Sequence, residues 1–128
     1  MTTEFEKLRE QTLECNKCAL CQGRHNVVFG VGNENARIMF VGEGPGEQED
    51  LQGEPFVGKS GQLLDKYLSL VDLSRKDNIY IANIVKCRPP GNRNPEEGEA
   101  RACLSYLDQQ IELVKPKVLV LLGIKTHS

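Results

Sequence analysis

The sequence predicts a single layered α/β domain with at least three parallel strands. The segments 38–41, 77–87 and 117–123 are rich in apolar residues and suit the strands of a sheet that is covered on both faces. Helical patterns at 61–70 and 95–114 lie between these segments, as a parallel sheet requires. At 128 residues, of which 39% are apolar, the chain fits one domain spanning its whole length.

The composition gives no overall attraction to polyanions. Sixteen lysines and arginines oppose eighteen acidic residues, for a formal net charge of −2. Any contact with nucleic acid must therefore come from a local basic patch. The sequence shows neither a secretory signal pattern nor an apolar run near the roughly twenty residues that span a bilayer. We therefore expect a cytoplasmic monomer with no membrane partner.

The five cysteines indicate a metal centre rather than disulfides, because the number is odd and the cytosol keeps thiols reduced. Cys15 and Cys18 follow a predicted amino-terminal helix at the spacing of two metal ligands. Cys87, after a strand, and Cys103, in a helical pattern, can complete a set of four, with Cys21 as the spare. Four thiolates suit either zinc or an iron–sulfur cluster. Ordinary buried thiols at Cys87 and Cys103 are the alternative.

The first strand runs into a glycine-rich loop, GEGPG at 42–46. This composition excludes regular structure and lets the backbone approach a ligand closely. Glu43 is the ionisable group of the loop, and open α/β sheets bind ligands at the carboxyl ends of their strands. Glu43 is therefore a candidate functional carboxylate, with a solvated turn acid as the alternative. Glu47, Glu49 and Asp50 are expected to form a solvated face or a first helical turn.

Phe56 and Asn83 are candidates for binding a planar ligand. Phe56 lies between a proline and glycines, where its ring can either stack on a ligand or pack beneath its loop. Asn83 interrupts the second apolar run and needs hydrogen-bond partners from the backbone or from a ligand. Its amide offers one acceptor and two donors in fixed geometry, as reading a nucleobase edge requires. Ser60 is expected to cap the helix that follows.

The most basic patch of the chain lies around the irregular loop at 88–95. Lys86, Arg88 and Arg93 supply its charge. Cations on such a loop suit contacts with DNA phosphates, although they can also serve solubility alone.

Four motifs together resemble the iron–sulfur-containing family 4 uracil-DNA glycosylases. They are GEGPGEQED, GEPFVGKSGQLLD, NIVKCRPPGNRNP and KPKVLVLLG, and the likeness extends from Cys15 to Gly123. The resemblance implies a three-layer uracil-DNA-glycosylase-like fold with a central parallel sheet. It also implies a [4Fe-4S] cluster held by Cys15, Cys18, Cys87 and Cys103, with a chiefly structural role.

The resemblance further implies a pocket for a uracil flipped out of DNA. Phe56 would stack on the base, and Asn83 would hydrogen-bond its polar edge and reject cytosine. Glu43, with the backbone of Gly44 and Pro45, would lie beside the sugar and the base. Its carboxylate would stabilise an oxocarbenium-like sugar or orient the attacking water. Related glycosylases have an aspartate where this chain has Gly44, so the usual water-positioning carboxylate is missing.

The chain departs from the family pattern at its carboxyl end. Family members continue through a further helix and a fourth strand that carries a His-Pro motif, whereas this sequence stops at Ser128. Loss of that histidine is expected to slow excision by on the order of 10²–10³-fold, and His127 is not assigned its role. We therefore expect an incomplete domain, lacking the last strand and helix, with an unpaired sheet edge and exposed apolar surface.

Two other interpretations stay open beside an enzyme of base excision repair. The chain can be a catalytically weak iron–sulfur fragment that binds DNA or uracil. Alternatively, it can be a small metal protein for electron transfer or scaffolding. Cleavage of a uracil-containing oligonucleotide, measured beside its binding, separates the three interpretations.

Overall fold

The computed structural model of the chain describes residues 3–15, 23–89 and 95–122. The elements of these residues are, in order, α1 (Glu4–Leu13), β1 (Val31–Gly32), β2 (Ile38–Gly42), α2 (Glu47–Gln52), α3 (Lys59–Ser69), β3 (Ile79–Asn83), α4 (Glu97–Val114) and β4 (Val118–Leu121). The alternation of strands and helices predicted from the sequence is therefore present.

The described strands form one mixed sheet in the order β1-β3-β2-β4. β2 pairs in parallel with β3 on one side and with β4 on the other, so that Phe40 lies opposite both Ile81 and Val120. These three strands are the predicted parallel core. β1 is only two residues long and pairs with β3 in the antiparallel direction. The sheet is therefore parallel at its centre and mixed at one edge.

Helices cover both faces of the sheet because side chains alternate along each strand. On one face, Met39 and Val41 of β2 belong to a core cluster that also contains residues of α1 and α4. On the other face, Ile38 and Phe40 pack in a second cluster with Leu68 of α3. This arrangement gives the predicted three layers, with α1 and α4 on one side and α3 on the other.

Helix boundaries follow the capping groups. α1 begins after its N-cap, Thr3, whose Oγ1 accepts a hydrogen bond from the backbone N–H of Glu6 at 3.1 Å. α3 begins at Lys59 with Gly58 as its N-cap, so the expectation that Ser60 caps this helix is wrong. Among the described residues, no helix is both long and apolar enough to cross a membrane.

β4 is the edge of the described sheet, where it pairs with β2 alone. Val118, Leu119 and Leu121 are 51%, 44% and 72% exposed. A run of this composition normally lies buried on both faces of a sheet. The expected unpaired edge with exposed apolar surface is therefore confirmed within the described part of the chain.

Candidate functional site

The loops that follow β2 and β3 lie side by side at one edge of the sheet. Gly42 pairs with Asn83 at the carboxyl ends of the two parallel strands. The ladder continues one step into the loops, since the N–H groups of Ile84 and Val85 donate to the carbonyls of Gly42 and Glu43 at 2.9 and 3.0 Å. The glycine-rich loop and the Asn83 side chain are therefore held at the edge where ligands of open α/β sheets bind.

A pocket of about 310 Å³ opens at this edge. Gly44, Phe56 and Asn83 line it, together with residues 46–49 and residues 58–61 at the start of α3. Its volume is at the lower end of the range for small-molecule sites, roughly 300–1,000 Å³. The pocket therefore has the volume for a compact ligand rather than for an extended chain.

Asn83 supplies the least satisfied polar atom of the pocket. Asn83 is only 2% exposed, yet its Oδ1 has no hydrogen-bond partner among the described residues. A buried acceptor left in this state costs about 1–3 kcal/mol. Such an atom requires an explanation, and a ligand that carries a hydrogen-bond donor provides one. The alternative of an amide satisfied by the backbone is therefore wrong for Oδ1 within the described chain.

Phe56 both lines the pocket and packs on the core. Its ring is half-buried against the cluster that contains Phe40 and Leu68. Of the two expectations for Phe56, packing of the ring on the core is present. The residue also lines the pocket, where stacking on a ligand stays a prediction. The backbone of Phe56 has φ of 55°, in the left-handed region that a bulky residue rarely adopts.

Gly42 allows Phe56 and Asn83 to approach each other. A Cβ at this position would lie 2.4 Å from Cζ of Phe56 and 2.6 Å from Oδ1 of Asn83. Any side chain here would collide with both groups. The aromatic ring and the unpartnered amide oxygen therefore share one small space only because residue 42 is glycine.

The other predicted residues of the loop lie differently. Gly44 is in the pocket wall, but Glu43 and Pro45, which are both described, are not among the lining residues. Glu43 is half-buried, and its carboxylate forms no hydrogen bond or ion pair with another described residue. The structure thus brings together Gly44, Phe56 and Asn83, and it leaves Glu43 beside the pocket at the end of β2.

Glu49 fastens the loops around the pocket, a role that the sequence reasoning missed. Its Oε1 accepts from the N–H of Gly46 at 2.9 Å, and its Oε2 accepts from Val57 and Gly58 at 2.9 and 2.8 Å. Burial alone would raise the pKa of Glu49, but the amides of Gly58, Val57 and Gly46 lower it below its usual value. Of the two expectations for Glu47, Glu49 and Asp50, a first helical turn is confirmed, since all three lie in the first turn of α2, and a solvated face is wrong for Glu49. Its position three residues after Gly46, at the start of a helix, is the signal that could have shown the first of these bonds.

Asp50 is also buried rather than solvated. It is 0% exposed, and its Oδ1 accepts from the N–H of His25 at 2.8 Å, while Oδ2 lies 2.7 Å from Nδ1 of the same histidine. Burial acts to raise the pKa of Asp50, and the hydrogen bonds with His25 and Asn26 more than offset it, so that the pKa is lowered. Asp50 thus ties α2 to the segment that leads into β1.

Arg75 is a second residue that the sequence reasoning missed. Its guanidinium donates to the carbonyls of Pro55 and Phe56, both at 2.6 Å, and to Oδ1 of Asp65 at 2.9 Å. The arginine belongs to the loop between α3 and β3, about twenty positions from the carbonyls it binds. A contact to main-chain atoms at that separation leaves no signature in residue type or spacing.

Three of the four predicted metal ligands lie on elements that converge. Cys15 follows α1, Cys87 follows β3 and Cys103 is in α4, and all three are buried. Nη1 of Arg24 donates to the carbonyl of Cys15 at 2.6 Å and to Sγ of Cys87 at 3.3 Å, so one guanidinium joins two of the cysteines. The structure therefore brings the end of α1 to the loop after β3.

Tyr106 of α4 lies within reach of all three thiols. Burial raises the pKa of its phenol, a hydrogen bond with Cys15 raises it further, and the charges of Cys15, Cys103 and Cys87 act in the same direction. Among the described residues, no three histidine, cysteine, aspartate or glutamate side chains are arranged to hold a metal ion. Cys18 and the spare Cys21 lie outside the described residues, as does His127.

Lys86 is buried, and its predicted contact with DNA is therefore wrong. It is 1% exposed, and its Nζ donates to the carbonyl of Asn83 at 2.8 Å and to Oε1 of Gln110 at 2.5 Å. Burial lowers the pKa of this lysine to about 7, while the charge of Cys103 acts in the opposite direction. Arg88 is half-buried within the described chain, and Arg93 lies outside it.

The fold and the pocket define an α/β protein with a small pocket at the carboxyl ends of its parallel strands. Residues 29–128 match the uracil DNA glycosylase superfamily, and the chain belongs to this superfamily.

Within this superfamily, the chain is similar to curated type-4 uracil-DNA glycosylases. The chain is 51% identical over 119 residues to a type-4 uracil-DNA glycosylase of Sulfurisphaera tokodaii. These 119 aligned residues are 93% of the chain and 54% of that relative. Type-4 enzymes of Saccharolobus solfataricus and Thermotoga maritima are 49% and 50% identical, over 55% and 62% of their own lengths. The resemblance to type-4 enzymes is thus confirmed. The chain spans little more than half the length of these relatives.

Proposed function

We propose that the pocket binds a uracil flipped out of DNA, and that the protein hydrolyses the N-glycosidic bond of that nucleotide. The observation that carries the proposal is the buried Oδ1 of Asn83, which lies beside the ring of Phe56 and has no hydrogen-bond partner in the described part of the chain. The names of the type-4 relatives support the same substrate.

Asn83 accounts for the choice of base. Its Oδ1 is an acceptor, and N3 of uracil carries the hydrogen that would satisfy it, while the amide nitrogen can donate to O4. Cytosine has an acceptor at N3 and a donor at the neighbouring exocyclic position, so both contacts would be mismatched. A well-formed bidentate contact of this kind gives about 1–3 kcal/mol of discrimination. Phe56 adds stacking that any base would share.

Glu43 is the candidate group for the chemical step. Cleavage leaves positive charge on the sugar, and a nearby carboxylate can stabilise that charge or orient the water that attacks it. Its place at the end of β2, one residue from the Gly42–Asn83 pair, puts it next to the pocket rather than in its wall. The backbone of Gly44 and Pro45 would lie along the same side of the bound nucleotide. Arg88 and Arg93 are the proposed phosphate contacts.

A single-turnover assay tests the proposal. Cleavage of a uracil-containing oligonucleotide is compared with cleavage of the same strand carrying cytosine, for the wild type and for Asn83→Asp. We expect the variant to lower the preference for uracil by roughly five- to 150-fold, the equivalent of one lost bidentate contact. Asn35→Asp, on an exposed turn, is the matched control and should leave the preference unchanged. An Asn83→Asp variant with wild-type preference would remove this residue from base recognition.

A uracil-binding protein with weak or no catalysis is the second candidate function. The specific observation in its favour is that the binding groups Phe56 and Asn83 are assembled in the pocket, whereas Glu43 is not among its walls. Equilibrium binding of the uracil oligonucleotide, measured beside its cleavage, decides between the two. Binding that prefers uracil without cleavage identifies the binding module, and cleavage identifies the enzyme.

We also propose that Cys15, Cys18, Cys87 and Cys103 hold a [4Fe-4S] cluster. The burial of the three described cysteines, two of which are joined by Arg24, supports a common centre, and thiolates are the ligands that such clusters use. When bound, the cluster would link the end of α1, the loop after β3 and α4. Anaerobic purification followed by absorbance near 400 nm, with iron and sulfide analysis, tests this. About four irons per chain, lost in Cys103→Ser, is the expected result, and a folded iron-free wild type would contradict it.

A further inference from the structure

The backbone of Phe56 is in a conformation that needs external support. Its φ of 55° places the Cβ close to a carbonyl oxygen, which is why residues other than glycine avoid this region. Conformations of this kind persist where surrounding groups fix them, and they are frequent in binding sites.

Arg75 fixes the carbonyl side of this turn. Its two terminal nitrogens donate to the carbonyls of Pro55 and Phe56, and its Nε donates to Asp65 on α3. The arginine side chain is only 10% exposed. Because three nitrogens of one planar group are used at once, a lysine cannot reproduce the arrangement.

Glu49 fixes the amide side of the same turn. Its Oε2 accepts from the N–H groups of Val57 and Gly58. The peptide group that joins Phe56 to Val57 is therefore held at both ends, with its oxygen on a guanidinium and its N–H on a carboxylate. Rotation of this peptide would break bonds to two charged side chains, and such bonds are about twice as strong as neutral ones.

We propose that Arg75 is a positioning residue that holds the Phe56 ring in place as the stacking wall of the base pocket. The proposal rests on the proposed function, since it assumes that Phe56 stacks on uracil. Cζ of Phe56 and Oδ1 of Asn83 are neighbours, since both lie within 2.6 Å of the point that a Cβ of residue 42 would occupy. Rotation of the turn would therefore change the position of the ring relative to this amide oxygen. Arg75 touches neither the pocket nor the base and acts only through the backbone of residues 55 and 56.

The position of the ring can be measured without any substrate. The chain has four phenylalanines, so ¹³C-labelled rings give few signals, and Phe56→Leu assigns the one that matters. We expect the Phe56 signals to shift in Arg75→Lys and Arg75→Met. They should stay in place in Arg101→Met, whose side chain is 77% exposed and pairs with Glu97 on α4. Unchanged Phe56 signals in both Arg75 variants would overturn the proposal.

Single-turnover kinetics on a uracil-containing oligonucleotide give the second readout. We expect the half-saturating concentration to rise roughly tenfold in Arg75→Lys, with a nearly unchanged maximal rate, because stacking contributes to binding of the base. A displaced ring with unchanged half-saturation would overturn the stacking role. If Arg75→Met does not fold, Asp65→Asn takes its place beside Arg75→Lys, because it weakens the bond that orients the arginine.

The two proposals fail in distinguishable ways. A wild-type chain that neither binds nor cleaves the uracil oligonucleotide contradicts the proposed function. The ring signals of the variants still show whether Arg75 positions Phe56 in that case.

Discussion

Replacing Gly61 with alanine tests how closely α3 supports the Phe56 turn. A Cβ at residue 61 would lie 1.9 Å from the carbonyl oxygen of Phe56 and 2.0 Å from its carbonyl carbon. These atoms belong to the backbone and cannot rotate away as a flexible side chain would. The oxygen also accepts the hydrogen bond from Arg75, so it cannot move without lengthening that bond.

Two opposing effects set the magnitude. Alanine is favoured over glycine inside a helix by up to about 1 kcal/mol. Overpacking a well-filled site costs typically about 1–3 kcal/mol, and the shortfall here is about 1.5 Å against backbone atoms. The collision is therefore larger than the gain, and we expect Gly61→Ala to lower the free energy of unfolding by about 1–2 kcal/mol.

Gly98→Ala is the matched control. Gly98 also lies in the first turn of a helix, α4, but a Cβ there would meet nothing within 4 Å. This variant should be stabilised by up to about 1 kcal/mol. Urea unfolding followed by circular dichroism measures both changes at once. If Gly61→Ala proved as stable as Gly98→Ala, the close approach of α3 to the Phe56 carbonyl would be refuted.

Three further predictions concern buried polar groups. Asn83→Leu should raise the free energy of unfolding by about 1 kcal/mol, because it removes an unpartnered buried acceptor, and should abolish uracil preference; a loss of stability in urea unfolding would contradict this. Lys86→Met should be destabilised by about 1–3 kcal/mol, since it leaves the acceptors on Asn83 and Gln110 without their donor, while the exposed Lys66→Met should be neutral in the same assay. Because the pKa of Asp50 is lower in the folded than in the unfolded protein, its ionised carboxylate stabilises the fold at pH values above the unfolded pKa, which is near 4. This stabilisation is lost as the pH falls through the pKa of the folded state. Asp50→Asn should therefore be less stable at pH 7 and lose less stability below about pH 4 in acid titrations followed by circular dichroism.

The fold could be predicted because its signals are local and repeated. The apolar runs of β2, β3 and β4 and the helical periods of α3 and α4 each extend over several residues, so single exceptions do not hide them. The parallel arrangement then places the ends of β2 and β3 at one edge. That rule is enough to bring Gly44 and Asn83 together, although one lies 39 positions after the other.

The support of the pocket could not be predicted, because it depends on contacts between side chains and distant backbone. Glu49 and Arg75 are charged residues of a kind that usually lies on the surface. Only folding brings the peptide groups of the Phe56 loop within hydrogen-bond distance of their side chains. The prediction that Lys86 contacts DNA was wrong for a related reason, since a lysine in a basic segment is usually exposed and this one is buried. The buried partner that receives its ammonium, Gln110, lies on α4 and has no visible link to it in the sequence.

One part of the pocket wall is main chain, because four of the lining residues are glycines: Gly44, Gly46, Gly58 and Gly61. A Cβ at Gly44 would lie 2.6 Å from Cγ2 of Val85, and a Cβ at Gly61 would lie 1.9 Å from the carbonyl oxygen of Phe56. This part of the wall can be narrowed by substitution but not widened, because glycine has no side chain to truncate. Efforts to engineer acceptance of a bulkier base would thus find no useful large-to-small changes around these glycines. They would have to shorten the side chains that line the rest of the wall, such as Gln48 and Lys59, or shift whole loops.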